Sequence, residues 1–193
     1  MDDDGVCTGA GKCLEDRLRG FHLQVKVDRQ RNIAAEGTVS VVSLESGKVV
    51  AEIPVGLHAS SLAATPDGKH VAVANANSDT ISIIDTETDQ VVRNLDVRLF
   101  EGAPLGSAPN ALALSPGGET LYVANAANNA VAVVIPDHPS MPLRGFIPTG
   151  WFPTAVAVAD LNADGLADVV VAAGQGTQAI VLLGGADGLV AQL

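Results

Sequence analysis

The 193-residue chain is 47% hydrophobic but only 3% aromatic, with 20 glycines, 10 prolines and two cysteines. That apolar content excludes a mainly disordered polymer, and the length serves one domain or two small ones. Eleven basic against 22 acidic residues give a net charge of −11, which argues against a nucleic-acid partner, because phosphate binding needs clustered Lys and Arg.

The first 35 residues are neutral, with six acids and six bases, so residues 36–193 carry the whole −11. The opening MDDDGVCTGAGKCL has neither a basic n-region nor an apolar h-region and is not a signal peptide. We expect residues 1–20 to be a poorly ordered tail. Within it GVCTGAGKC (5–13) imitates a phosphate-binding loop, but a glycine falls one residue early and Cys13 stands where Ser or Thr is needed. No strand pattern precedes it, and the reading is rejected. Cys7 and Cys13 could pair in an oxidising compartment, but the segment reads as a disordered tail and an incidental pair is the preferred reading. Two cysteines cannot build a disulfide scaffold or a four-thiolate zinc site. No apolar run approaches the ~18 residues of a membrane span.

From residue 21 the sequence is repetitive. Phe21, Leu23, Val25 and Val27 alternate with His22, Gln24 and Lys26, the period-2 signature of a strand. GTVSVVSLESGKVVAEIPVG (37–56) matches DTISIIDTETDQVVRNLDV (79–97) at an offset of 42. PDGKHVAVAN (66–75) matches PGGETLYVAN (116–125) at an offset of 50, the difference falling in an insertion near RLFEGAPLGS (98–107). ALALSP (111–116) returns as AVAVAD (155–160) at an offset of 44. A period in the low forties is that of a four-stranded propeller blade.

The sequence therefore predicts an all-β protein: a β-propeller of about four blades, built from four-stranded antiparallel sheets, as a partial propeller or a small closed ring. The blades are expected at 21–56 (incomplete), 58–97, 108–150 and 151–193. Pro66-Asp67-Gly68 and Pro116-Gly117-Gly118 supply hairpin turns. Asn75, Asn77, Asn125, Asn128 and Asn129 cluster after the second strand, where turn formation is preferred over a ligand site.

The last blade replaces the proline-glycine hairpin with Asp160-Leu161-Asn162-Ala163-Asp164-Gly165-Leu166-Ala167-Asp168. Side-chain oxygens of Asp160, Asn162, Asp164 and Asp168, with the Leu166 carbonyl, can converge on a hard cation, and Ca²⁺ is preferred over a merely polar hairpin. The loop starts like an EF-hand but has Val171 where the bidentate Glu belongs. Gly150-Trp151-Phe152-Pro153-Thr154 is the one concentrated aromatic site. Trp151 could line a binding rim with His58 and Asn110 from equivalent connections; alternatively Trp151 and Phe152 plug the space between blades, the reading preferred. The four histidines lie in different units without metal-ligand spacing, and no nucleophile elbow is present.

TPDGKHVAVANANSDTISIIDTETDQVV and SPGGETLYVANAANNAVAVV resemble the YVTN-repeat, YncE-like β-propellers over roughly residues 37–183. The acidic loop resembles the calcium loops of FG-GAP and VCBS repeats. RGFIPTGWFPTAVAV (144–158) resembles bacterial proteins in which such a propeller precedes an alkaline-phosphatase-like phosphoesterase domain. The resemblance implies seven blades in the full propeller and a periplasmic or extracellular location. The expectation is a non-enzymatic binding or scaffold module for an unidentified protein or small-molecule ligand, part of a larger propeller, completed by a homodimer or an adjoining domain. The alternative is the propeller portion of a phosphoesterase whose catalytic domain lies elsewhere.

Overall fold

The computed structural model describes residues 19–28, 33–174, 179–185 and 190–192. Cys7, Cys13, the 5–13 motif and most of the expected tail lie outside these residues. The described strands form four antiparallel sheets in chain order. The first holds β1 (Arg19–Asp28), β2 (Ile33–Ser43) and β3 (Val49–Val55); the second β4 (Ala59–Ala64), β5 (His70–Asn75), β6 (Thr80–Asp85) and β7 (Gln90–Asp96). The third holds β8 (Pro109–Leu114), β9 (Leu121–Asn125), β10 (Ala130–Val134) and β11 (Leu143–Pro148); the fourth β12 (Pro153–Ala159), β13 (Asp168–Ala173), β14 (Ala179–Leu183) and β15 (Val190–Gln192). These are four consecutive blades of a β-propeller. No helix among the described residues is long and apolar enough to cross a membrane.

The hairpins follow from their turn residues. Gly68 and Gly118 sit at φ +69° and +83°, which glycine adopts without a Cβ penalty. The N–H groups of Gly68 and Gly118 donate to Thr65 and Ser115, at 2.8 Å in both turns. Alternation then assigns every strand residue to one of two faces. In β5, Val71 and Val73 face blade 1, and Ala72 and Ala74 face blade 3.

Each junction between neighbouring blades has its own core. Val39, Val41 and Ile53 of blade 1 meet Val71, Val73 and Ile84 of blade 2. Ile81, Ile83, Leu95 and Val97 of blade 2 meet Leu121, Val123, Ala132 and Val134 of blade 3. Tyr122 and Val131 of blade 3 meet Val169, Val171 and Leu182 of blade 4. Four blades thus share three cores, and no described core joins blade 4 to blade 1. The first strands approach most closely, β8 packing on β4 and β12 on β8, and so mark the axis of the arc. Charged latches add to the outer parts: Arg19 donates to Asp89 at 2.9 Å, and Arg93 to the Pro136 and His138 carbonyls.

The incomplete first blade now has a definite gap. The 42-residue offset equates β2 with β6 and β3 with β7, so β1 corresponds to β5. The strand that would correspond to β4 is not among the described residues.

Candidate functional site

The connections into the first strands repeat one backbone device. His58, Ala108 and Phe152, each immediately before a first strand, have φ of 58°, 49° and 51°. Their carbonyls accept the N–H groups of Ala76, Ala126 and Gly174, which close the connection onto the second strand's end. Left-handed backbone is uncommon for residues other than glycine, so something must hold it. In blade 3 the holder is Asn129, whose Oδ1 accepts the Phe152 N–H at 2.8 Å. In blade 2 it is Asp79, at the equivalent position, 1% exposed. Its carboxylate accepts N–H bonds from Gly106 (2.6 Å), Ser107 (2.9 Å) and Ala108 (3.1 Å). Asp79 therefore pins the end of the 98–107 insertion to blade 2. Sequence reasoning missed it, although its alignment with Asn129 was a usable signal.

The candidate rim residues occupy three different positions of these connections. His58 lies in the left-handed position, with Nδ1 3.4 Å from Asn77 Oδ1. Asn110 lies inside β8, with a buried Oδ1 that has no partner. Trp151 precedes the left-handed Phe152. Pro148-Thr149-Gly150-Trp151-Phe152-Pro153 has the spacing of Pro54-Val55-Gly56-Leu57-His58-Ala59, so Trp151 corresponds to Leu57 and not to His58. Trp151 is 61% and Phe152 42% exposed. The aromatic pair stands outside the blade 3–blade 4 core and so does not plug that junction. With Thr154 and Gly174 it lines an open pocket of about 330 Å³, to which neither His58 nor Asn110 contributes.

Two of the clustered asparagines depart from the turn expectation. Asn75 and Asn125 are fully buried. Asn125 Nδ2 donates to the Val97 carbonyl at 2.7 Å, and Asn75 Nδ2 to the hydroxyls of Thr80 and Ser82 at 3.1 and 2.9 Å. Asn129, with φ 53°, does take the left-handed turn geometry.

In the acidic loop, Ala163 and Gly165 supply left-handed turns at φ 59° and 84°. Asp160 accepts the Asp164 N–H (3.2 Å) and the Gly165 N–H (3.0 Å). Asn162 Oδ1 accepts the Asp164 N–H at 3.1 Å, and Asp164 Oδ1 the Leu166 N–H at 2.8 Å. These three side chains are exposed, with acceptor capacity left over. Asp168 differs: it is buried, and its two oxygens take the N–H groups of Gly184 (2.7 Å) and Leu161 (2.6 Å). Those bonds hold its carboxyl below the ordinary aspartate pKa. No three carboxylate, imidazole or thiolate groups converge on one point among the described residues. The oxygens of Asp160, Asn162 and Asp164 suit a hard cation in type; Asp168 is engaged in joining the loop to the Gly184 backbone.

Sequence comparison places this geometry among known proteins. Residues 24–159 match the family described as lactonase, seven-bladed β-propeller, and residues 152–190 match the FG-GAP repeat. No curated protein matches the chain. Hydrazine synthase of Kuenenia stuttgartiensis is 26% identical with a TM-score of 0.61, over 78% of this chain and 40% of that one. A functionally unknown protein from Desulfotomaculum acetoxidans DSM 771 gives 18% and 0.63, over 90% and 51%. A candidate 6-phosphogluconolactonase from Bacteroides uniformis ATCC 8492 gives 15% and 0.64, over 93% and 54%. The last two similarities speak to the fold alone. The chain spans between two fifths and just over half of these structures.

Proposed function

Since the chain belongs to the seven-bladed lactonase β-propeller family, we propose that it serves as an arc of blades within a larger propeller and acts by binding or scaffolding rather than by catalysis. The observation carrying this reading is the outer face of blade 4. Cross-strand register equates Val170 with Ala72 and Tyr122, and Ala172 with Ala74 and Ala124. The blade 2 and blade 3 residues are buried. In blade 4 the same positions are half-exposed, beside exposed Ala155 and Ala157. Terminal repeats that face water normally carry a polar outer surface. This face has the composition of an internal junction, and a further blade-like sheet is its natural cover.

The non-catalytic part of the proposal is supported by how the buried polar groups are used. Asp79, Asn125 and Asp168 hold backbone groups and shape the connections. The repeat grammar is of the YVTN, YncE-like kind, and an exported location goes with that resemblance. In blade 4, Ca²⁺ would be held by Asp160, Asn162, Asp164 and the Leu166 carbonyl, with Asp168 anchoring the loop. An open site of this sort binds at ~10⁻⁴–10⁻³ M, as in extracellular modules.

Two experiments test these parts separately. If the arc belongs to a larger ring, the isolated chain self-associates with rising concentration in light scattering, and replacing Val170 with Glu weakens that association. A monomer at all concentrations contradicts it. For calcium, millimolar Ca²⁺ is expected to raise the melting temperature of the chelated protein and to have no such effect on Asp164→Ala. An unchanged melting curve removes the ion from the account.

A further inference from the structure

We propose that the 98–107 insertion is a docking finger for a basic amphipathic segment of a partner protein. The finger rests on the binding role proposed above and gives it a partner class.

The other two connections between blades are direct, from Val55 to Ala59 and from Pro148 to Pro153, whereas β7 ends at Asp96 and β8 begins at Pro109. The extra chain puts three large apolar side chains in solvent: Leu99 at 47%, Phe100 at 64% and Leu105 at 63% exposure. The insertion joins blades 2 and 3, whose shared core is closed, while the bare face lies beyond blade 4. A blade added there continues the ring away from the insertion, so it does not account for this exposure.

The loop is fixed at both ends and in its middle. Val97 is fully buried; its N–H donates to the Asp79 carbonyl at 3.0 Å, and its carbonyl accepts Asn125 Nδ2 at 2.7 Å. At the far end the Asp79 carboxylate holds the Gly106, Ser107 and Ala108 N–H groups. In between, Arg98 Nη1 donates to the Ala103 carbonyl at 2.9 Å, and the Ala103 N–H closes a turn on the Phe100 carbonyl at 3.0 Å. Ala103 is buried, and Gly102 takes the left-handed turn at φ 79°. The exposed side chains thus project from a preorganised backbone, which lowers the ordering cost of binding. A protruding aromatic flanked by leucines on such a frame has the make-up of an interface anchor.

Charge selects the occupant. Arg98 is bonded through Nε and Nη2 to the Asp96 carboxylate, which leaves exposed Glu101, next to Phe100, as the uncompensated charge of the insertion. A partner that covers Phe100 therefore needs a Lys or Arg at the border of its apolar surface. The net charge of −11 steers such a basic partner and opposes both a second copy and an anionic bilayer. Glu101 also opposes insertion of Phe100 into a neutral bilayer, because its carboxylate would lose water without gaining a partner. An amphipathic helix with leucines on one face and lysines along its borders meets both requirements.

The experiment titrates the full chain against a dye-labelled peptide of leucine and lysine in amphipathic-helical order, read by fluorescence anisotropy at about 0.15 M salt. A leucine–glutamate peptide of the same pattern and phosphatidylcholine vesicles are the other arms. The expected result is saturable binding of the lysine peptide, weakened about tenfold or more in Phe100→Ser. Glu101→Gln weakens it roughly two- to fivefold. Glu87→Gln, in the β6–β7 turn at the opposite end of β7, leaves the affinity unchanged. All three residues are exposed, and unchanged melting curves verify the folds. The proposal is overturned if the lysine peptide does not saturate, binds folded Phe100→Ser equally well, or loses affinity in Glu87→Gln. Equal binding of the glutamate peptide overturns it too, as does a Phe100-dependent response to vesicles or self-association that Phe100→Ser abolishes. None of these results bears on the arc itself, which the Val170→Glu series tests independently.

Discussion

At the scale of single residues, the side chains that matter most are those that satisfy backbone groups across a junction. Asp79 is buried and receives three N–H bonds. Replacing it with alanine strands those donors and is expected to destabilise the protein by about 3 kcal/mol. Asn129→Ala removes one bond, at an exposed connection, and should cost about 1 kcal/mol. Urea denaturation of both variants checks the ranking. A pH dependence belongs here too. Asp85 has its pKa lowered, chiefly by the Thr88 N–H and then by the Thr88 hydroxyl, and Asp67 is lowered chiefly by the Thr65 hydroxyl. A carboxylate with a lowered folded pKa contributes stability that is fully present above its unfolded value of about 3.9. That contribution is lost as pH falls through the lower folded value. Stability is therefore expected to decline below about pH 4, and Asp85→Asn should flatten that decline in acid melting curves. The repeat alignment marks the position of Asp79 as equivalent to Asn129, but not its partners. An aspartate before a strand reads as a local turn residue, whereas its donors here lie 27 to 29 residues away.

At the scale of strands and hairpins, legibility was high because the relevant forces are local. The repeated strings at 66–75 and 116–125, with their proline-glycine turns, contain β5 and β9, and the ALALSP string at 111–116 covers most of β8. The strand expected from Phe21, Leu23, Val25 and Val27 is β1. What alternation could not say is which face meets a neighbouring blade and which is left bare. Val170 and Val171 are adjacent and chemically identical, yet Val171 is buried against blade 3 and Val170 lies half-exposed on the outer face. Val171→Ala is expected to cost about 2 kcal/mol and Val170→Ala much less, read as a difference in urea midpoints. The same limit explains the aromatic site. Composition located Trp151 and Phe152, but their exposure depends on the path of the connection, which Phe152 takes through a backbone region that sequence does not advertise. Close approach of backbone is equally position-specific. A Cβ at Gly37 would lie 2.0 Å from the Gly56 carbonyl oxygen. Gly37 is the counterpart of Asp79 under the 42-residue offset, so blade 1 has a direct backbone contact where blade 2 uses a carboxylate.

At the scale of the whole molecule, the chain is an arc whose two ends differ. The blade 4 end presents alanine, valine and leucine, while the outward face of blade 1 includes His22, Gln24 and Glu52. Head-to-tail stacking of two copies would set an apolar face against a polar one. Burial of the blade 4 face therefore calls for a matching apolar sheet, and that is the central claim. The measurement that tests it most directly is light scattering of the purified chain across a concentration series, beside Val170→Glu. The account expects mass to rise with concentration for the parent chain and less for the variant, whose melting curve stays unchanged. A monomer at every concentration, with one cooperative unfolding transition unaffected by Val170→Glu, would contradict it and point to four blades that need no further cover.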